Sequence, residues 1–146
     1  MYRFTGNTPE FFLVHPGGPF YQKKDDGVWT IPKGLADPDE ELLLTAKREF
    51  AEETGLATTG EFDSLGSVKL KSGKIVHAWL FAGNWNEKDG ITSNLFSLEW
   101  PPRSGKFLNV PEADRGGWFS YDEALKKIHP AQQPFIIRAA ELIARH

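Results

Sequence analysis

The stretch Gly34 to Leu56 reads GLADPDEELLLTAKREFAEETGL, and within it Gly34, Glu40, Arg48, Glu49, Glu52, Glu53 and Gly55 stand at intervals that concentrate carboxylates beside a loop glycine. Seven specified identities at roughly 5–7% each coincide by chance on the order of once in a hundred million windows. The ends of a helix are legible. Asp37 can cap it, Pro38 suits its first turn, and Glu40 follows Asp37 by three as in a capping box. Gly55 can close it in a left-handed conformation.

At about 100° per residue, Leu42, Leu43, Ala46 and Phe50 fall in one arc facing a core, with Glu49, Glu52 and Glu53 in an adjoining arc. The pairs Glu49/Glu53 and Glu49/Glu52 are like charges on neighbouring turns, each costing an isolated helix about 0.2–0.5 kcal/mol. They crowd the C-terminal half, where the helix dipole also disfavours negative charge. Three glutamates on a helix are ordinarily a solvated face. Here Arg48 can pair with Glu52, but one guanidinium cannot neutralise three carboxylates, and bound cations are the inference. An oxygen-only ligand set in a chain without Cys favours Mg²⁺ or Mn²⁺ over zinc.

The spacing G-x5-E-x7-R-E-U-x-E-E-x-G-U, with U a bulky apolar residue, resembles the signature of the Nudix hydrolases. Every polar and glycine position is filled, and only Phe50 stands where the family usually has an aliphatic residue. The resemblance implies a loop-helix-loop in which Glu49, Glu52, Glu53 and the backbone oxygen of Gly34 hold the metal. It also implies hydrolysis of a nucleoside diphosphate linked to another moiety, water attacking a phosphorus of the bridge. A carboxylate takes the proton of that water, and Glu49 is the residue we assign. Arg48 is read as an orienting partner of the acids. A further acid from outside the helix often serves this family as base or metal ligand, near a short strand with an aromatic residue. Glu112, six residues before Trp118, is the choice here, with Glu99 as the alternative.

Composition narrows the class. A chain of 146 residues suits one domain, 1–146, that buries about two thirds of its unfolded surface. The first residues, MYRFTGNTPEFF, lack a signal-peptide pattern, and no apolar run reaches the ~20 residues of a membrane span. A cytoplasmic protein with no membrane partner is expected, a monomer or homodimer. A net charge of -3 argues against a broad basic face for duplex nucleic acid, while a small nucleotide remains compatible through the metal and local basic residues.

Apolar alternation suggests strands at about 2 to 4, 11 to 14, 28 to 32, 62 to 70, 75 to 83, 95 to 100 and 117 to 119. LKSGKIV reads as a hairpin turning at Ser72 and Gly73. The proline- and glycine-rich segment 99 to 117 reads as mostly irregular and on the surface. Ser120 and Glu123 cap a second helix, about 121 to 128, and a third spans about 131 to 145. The interleaving predicts an α+β fold, a mixed sheet between helices in an α/β/α sandwich.

On the substrate side, Lys33 in IPKG is placed to meet a phosphate. Lys23, Lys24, Arg103, Lys106 and Arg115 are further candidates. Trp29 and Tyr21, with Phe20, Phe96 and Trp100, are the flat side chains nearest the expected site. His77 is read as a wall residue. The resemblance extends to small bacterial-type members grouped with diadenosine polyphosphate hydrolases, which makes a dinucleoside polyphosphate such as diadenosine tetraphosphate, or a nucleoside triphosphate, the expected substrate. An isomerase of isoprenoid diphosphates on the same fold would typically use a Cys, and there is none. A nucleotide-sensing or protein-binding module would generally lose one of the glutamates, and all are present.

Overall fold

The computed structural model describes residues 1–33 and 40–145. The run Phe11–Phe12–Leu13–Val14 lies in the strand that organises the rest. β1 (Tyr2–Thr5) turns through Gly6 and Asn7 into β2 (Thr8–Pro16), and β2 pairs on its other side with β7 (Ala113–Phe119), all antiparallel. A strand buried on both faces reads as a continuous apolar run because each face has its own core. Phe11 and Leu13 enter a cluster with Trp29, Leu80, Ile128, Phe135 and Ala139. Phe12 and Val14 enter another with Phe50, Phe81, Trp85 and Trp118. The first core lies beneath α2 (Tyr121–Lys127) and α3 (Gln133–Ala144), the second beneath α1 (Leu42–Thr54). This is the expected sandwich.

β3 (Asp63–Lys69) and β4 (Ile75–Leu80) form the expected hairpin, turning at Gly73 with φ 90°. The Tyr2 amide donates to the Phe81 carbonyl and the Gly83 amide to that of Tyr2, each at 3.0 Å. That parallel bridge joins β1 to the end of β4 and makes the pairing mixed.

Several expectations need correction. Residues 28 to 32 form no strand. Thr30 makes one reciprocal pair with Val14 and Trp29 one bridge to Ile128, and Pro32 has no amide to continue a ladder. In the segment 99 to 117, β6 (Phe107–Pro111) pairs residue for residue with β5 (Leu95–Glu99), its prolines falling outside the ladder or at its end. β7 begins at Ala113, four residues earlier than expected, and takes in Gly116. A Cβ on Gly116 would come within 2.7 Å of the Phe12 ring and 3.2 Å of Trp85, so the glycine admits the packing of those rings. The arc expected to face the core is also shifted. Leu42 is 44% exposed, whereas Thr45, Glu49, Phe50, Glu53 and Thr54 are buried.

α1 ends as its sequence implies. Gly55 sits at φ 75°, and its amide donates to the Ala51 carbonyl at 2.8 Å. A Cβ there would also meet the Thr92 carbonyl at 3.1 Å. Gly55→Ala is expected to destabilise the protein by about 1–2 kcal/mol from left-handed strain, with the Thr92 contact adding to it. Urea unfolding of the two proteins measures the difference.

Candidate active site

Arg48 organises the acidic helix. Its Nε and Nη2 donate to the two oxygens of Glu40 at 3.0 and 2.9 Å, while Nη1 donates to Glu49 at 2.9 Å and to Glu52 at 3.0 Å. The paired contact to Glu40 is the planar geometry that guanidinium and carboxylate favour. Thr45 Oγ1 donates to Glu40 as well, at 2.8 Å. Glu40 therefore does not work as the third residue of a helix capped at Asp37. It precedes the helix, which starts at Leu42, and reaches forward to Thr45 and Arg48. The N-cap position falls to Glu41, which makes no side-chain cap. Asp37 and Pro38 lie outside the described residues, as does Gly34, whose carbonyl was expected to hold metal.

With Glu40, Glu49 and Glu52 sharing Arg48, Glu53 stands apart. It is 7% exposed, the backbone N–H of Lys33 donates to it, and its Oε2 is buried with no hydrogen-bond partner among the described residues. Burial, with the charges of Glu112 and Glu49 adding to it, pushes its carboxyl up to about 8. Glu49 is also raised from the ordinary carboxylate range. Burial is the main cause, Arg48 opposes it, and Glu52 and Glu112 reinforce it. The acids are thus not a solvated face. Glu49 and Glu53 point inward, where an uncompensated charge is costly.

Glu112 lies in the bend between β6 and β7, where three hydrogen bonds hold the backbone. Its N–H donates to the Asn94 carbonyl at 2.9 Å, and its carbonyl accepts from the Gly17 amide at 3.1 Å. The next amide, of Ala113, donates to Ser93 Oγ at 3.1 Å. The same 92–94 segment is fastened to the end of α1: Thr92 donates to the Thr54 carbonyl and Asn94 to that of Glu52. A Cβ on Gly17 would fall 2.0 Å from the Pro111 carbonyl oxygen, so only glycine allows that approach. Neither Gly17 nor Asn94 was singled out from the sequence. In the sequence, the paired glycines of HPGGP read only as a turn.

The structure thus brings Arg48, Glu49, Glu52, Glu53, Glu112 and the exposed Lys33 to one place. Glu99 is instead engaged in the β5–β6 turn, accepting from the Arg103 amide at 2.7 Å. Trp29, expected to stack on a ligand, is a core residue. It is 5% exposed, edge-on to Phe119 and His15, with its indole N–H on Asp25 at 2.7 Å. Tyr21 is half-buried and edge-on to Phe20, over which the Lys24 ammonium lies at 3.6 Å. Arg115 stacks on Trp29 and pairs with Asp114 at 3.8 Å.

The donor set suits a hard divalent cation: carboxylate oxygens, one of them buried and unpartnered, with no sulfur ligand. Among the described residues, no three acid or imidazole side chains are already gathered as a metal cage.

The raised pKa of Glu53 has a consequence for stability. A carboxyl whose folded-state value exceeds its unfolded one stabilises the fold below the ordinary carboxylate range and loses that contribution as pH rises towards about 8. In EDTA, the melting temperature is expected to fall across that window. Glu53→Gln should flatten the fall and raise the metal-free melting temperature at pH 8, as read by circular dichroism.

Comparison with known proteins bears on the family and the fold. The chain is 36% identical over 86 residues to the asymmetrical bis(5'-nucleosyl)-tetraphosphatase of Rattus norvegicus, covering 53% of each chain. It spans between 9% and 53% of the length of the curated relatives it matches. Its fold is similar to that of a C. elegans Ap4A hydrolase in a binary complex, with 22% identity, 99% of this chain and 93% of that one covered, and a TM-score of 0.61. It is similar also to the NUDIX domain of Shewanella oneidensis NrtR complexed with ADP ribose, with 17% identity, coverage of 97% and 82%, and a TM-score of 0.63. Residues 2–139 match the NUDIX domain family, a span that takes in the sandwich and the acidic helix together, and the chain belongs to that family.

Proposed function

We propose that this chain is a metal-dependent pyrophosphohydrolase that cleaves the phosphoanhydride of a nucleoside diphosphate linked to another moiety. The observation that carries the reading is the buried, unpartnered Oε2 of Glu53 beside Glu49 and Glu112. A fold leaves such an oxygen bare at a cost, and a cation would remove that cost. Glu49, Glu52, Glu53 and Glu112, with the Gly34 carbonyl, would hold Mg²⁺ or Mn²⁺. When bound, the ion would supply Lewis acidity at the phosphate oxygens and lower the pKa of the attacking water.

The protein's own groups have distinct tasks. Glu49, raised from the usual carboxylate range and bonded to Arg48 through one oxygen, is the acceptor for the proton of the attacking water. Water then forms a bond to phosphorus, and the bridging P–O bond breaks with its electron pair leaving on the departing phosphate. Arg48 orients Glu49 and Glu52 and is itself fixed by Glu40. Glu112, with its backbone fixed, adds a carboxylate from the opposite side. Lys33, exposed next to Glu53, is positioned to meet a phosphate. The rat tetraphosphatase and the C. elegans hydrolase support a dinucleoside polyphosphate such as diadenosine tetraphosphate as the substrate, ahead of a nucleoside triphosphate. A cytoplasmic location fits that chemistry, and no helix among the described residues is long and apolar enough to cross a membrane.

The likeness to the NrtR domain with ADP ribose favours a second reading, a nucleotide sensor without turnover. The complete set of glutamates favours the enzyme.

A panel of dinucleoside polyphosphates, nucleoside triphosphates, nucleotide sugars and ADP-ribose, assayed in Mg²⁺ and in Mn²⁺, decides between them. Products from the first class are expected, and ¹⁸O water identifies the phosphorus attacked. Tight nucleotide binding without products points to the sensor. Glu112→Gln is expected to lower turnover by orders of magnitude with folding intact, and near-normal turnover removes Glu112 from the site. Glu52→Gln combined with Glu53→Gln should abolish both ion affinity and rate.

A further inference from the structure

A cleft of about 630 Å³ opens between the N-terminal half of α1 and β4, a volume typical of small-molecule sites. From α1 it is lined by Leu42, Thr45 and Ala46, and from β4 by Ile75, His77 and Trp79. At about 100° per residue, the three α1 residues share one side of the helix with Glu49 and Glu53. The floor of the cleft therefore runs along the helix into the carboxylates, about 12 Å separating Thr45 from Glu53 along the axis. Lys33 joins the two regions, lining the cleft while its backbone N–H is held by Glu53.

The far wall is aromatic by strand alternation. Val76, Ala78 and Leu80 pack into the core beneath α3, which turns Ile75, His77 and Trp79 to the other face. His77 and Trp79 lie near-parallel, with ring centroids 6.4 Å apart and 29° between planes. Ile75 at 60% exposure and Leu42 face solvent here without a core to fill. The cleft is lined by two lysines, Lys33 and Lys74, and by no Asp or Glu among the described residues. Flat rings, aliphatic surface and cationic charge, continuous with a phosphate-cleaving centre, specify a flat heteroaromatic group carrying phosphate.

We propose that the cleft between α1 and β4 binds the nucleobase of the substrate, with His77 and Trp79 as its stacking wall and Lys74 as a contact of the attached phosphate chain. The assignment rests on the pyrophosphohydrolase reading for its substrate class. It departs from the candidates expected in the sequence, since Trp29 is withdrawn into the core.

AMP tests it, because AMP carries a base and a phosphate but no anhydride to cleave. It is titrated against wild-type protein and variants in Mg²⁺ and in EDTA, by NMR with the indole N–H signals assigned, alongside inorganic pyrophosphate. The Trp79 indole signal is expected to shift with AMP. His77→Ala and Trp79→Leu should each weaken AMP by about tenfold, with pyrophosphate affinity unchanged and Trp79→Phe retaining most of the binding. Lys74→Ala should weaken both ligands. His77 is exposed, so its variant reports even where a Trp79 variant fails to fold. The proposal is overturned by AMP affinity unchanged in folded His77→Ala, by no AMP binding at millimolar concentration, or by an isoprenyl diphosphate shifting the Trp79 signal where AMP does not. Hydrolysis of diadenosine tetraphosphate by the wild type is measured in parallel. Turnover with AMP binding indifferent to His77 and Trp79 sinks the cleft alone. Binding that depends on those residues without turnover on any substrate sinks the hydrolase reading and leaves the cleft standing.

Discussion

The interaction on which the site depends is the four-point contact of Arg48 with Glu40, Glu49 and Glu52. Carboxylates near the C-terminal end of a helix repel one another and meet the negative end of its dipole. One guanidinium, braced from outside the helix by both oxygens of Glu40, offsets that repulsion for two of the helical acids. Glu53 gains no such partner. It stays buried, with one oxygen that has no hydrogen-bond partner among the described residues.

That cluster acquires its surroundings through a short relay of backbone hydrogen bonds. The 92–94 segment is attached on one side to the last turn of α1 and on the other to the Glu112–Ala113 bend, and Gly17 closes on the same bend from the end of β2. Four parts of the chain, 18 to 95 residues apart along its hydrogen-bonded links, are thereby held to a common position. Each connection uses amides and carbonyls, so side-chain identity matters little except where a side chain must be missing, as at Gly17, or must accept, as at Ser93.

The two cores divide the labour. One buries Phe11 and Leu13 beneath α2 and α3, while the other buries Phe12 and Val14 beneath α1. The second core sets the depth to which Glu49 and Glu53 sink, because Phe50 on the same helix packs on Phe12 and Phe81 at ring centroid separations of 6.0 and 5.2 Å. The burial of these carboxyl groups and the hydrophobic packing are consequences of one helix orientation.

The sequence by itself determined the family, the sandwich, the acidic helix with its terminal glycine, the β3–β4 hairpin and the set of acids. Spacing along a helix and alternation along a strand are local properties, and the box residues are specified by type and interval alone. Burial and long-range partnership required the tertiary structure. Trp29 resembles a ligand-stacking aromatic in a loop until Phe119 and His15 close over it, and Glu40 resembles a capping residue until Arg48, eight positions later, takes both its oxygens. Gly116 reads as part of an irregular segment until the Phe12 ring occupies the space of its missing side chain, and β6 is hidden among prolines that flank its ladder without interrupting it. In each case the deciding atom lies on another element, at a distance in sequence that no local pattern encodes.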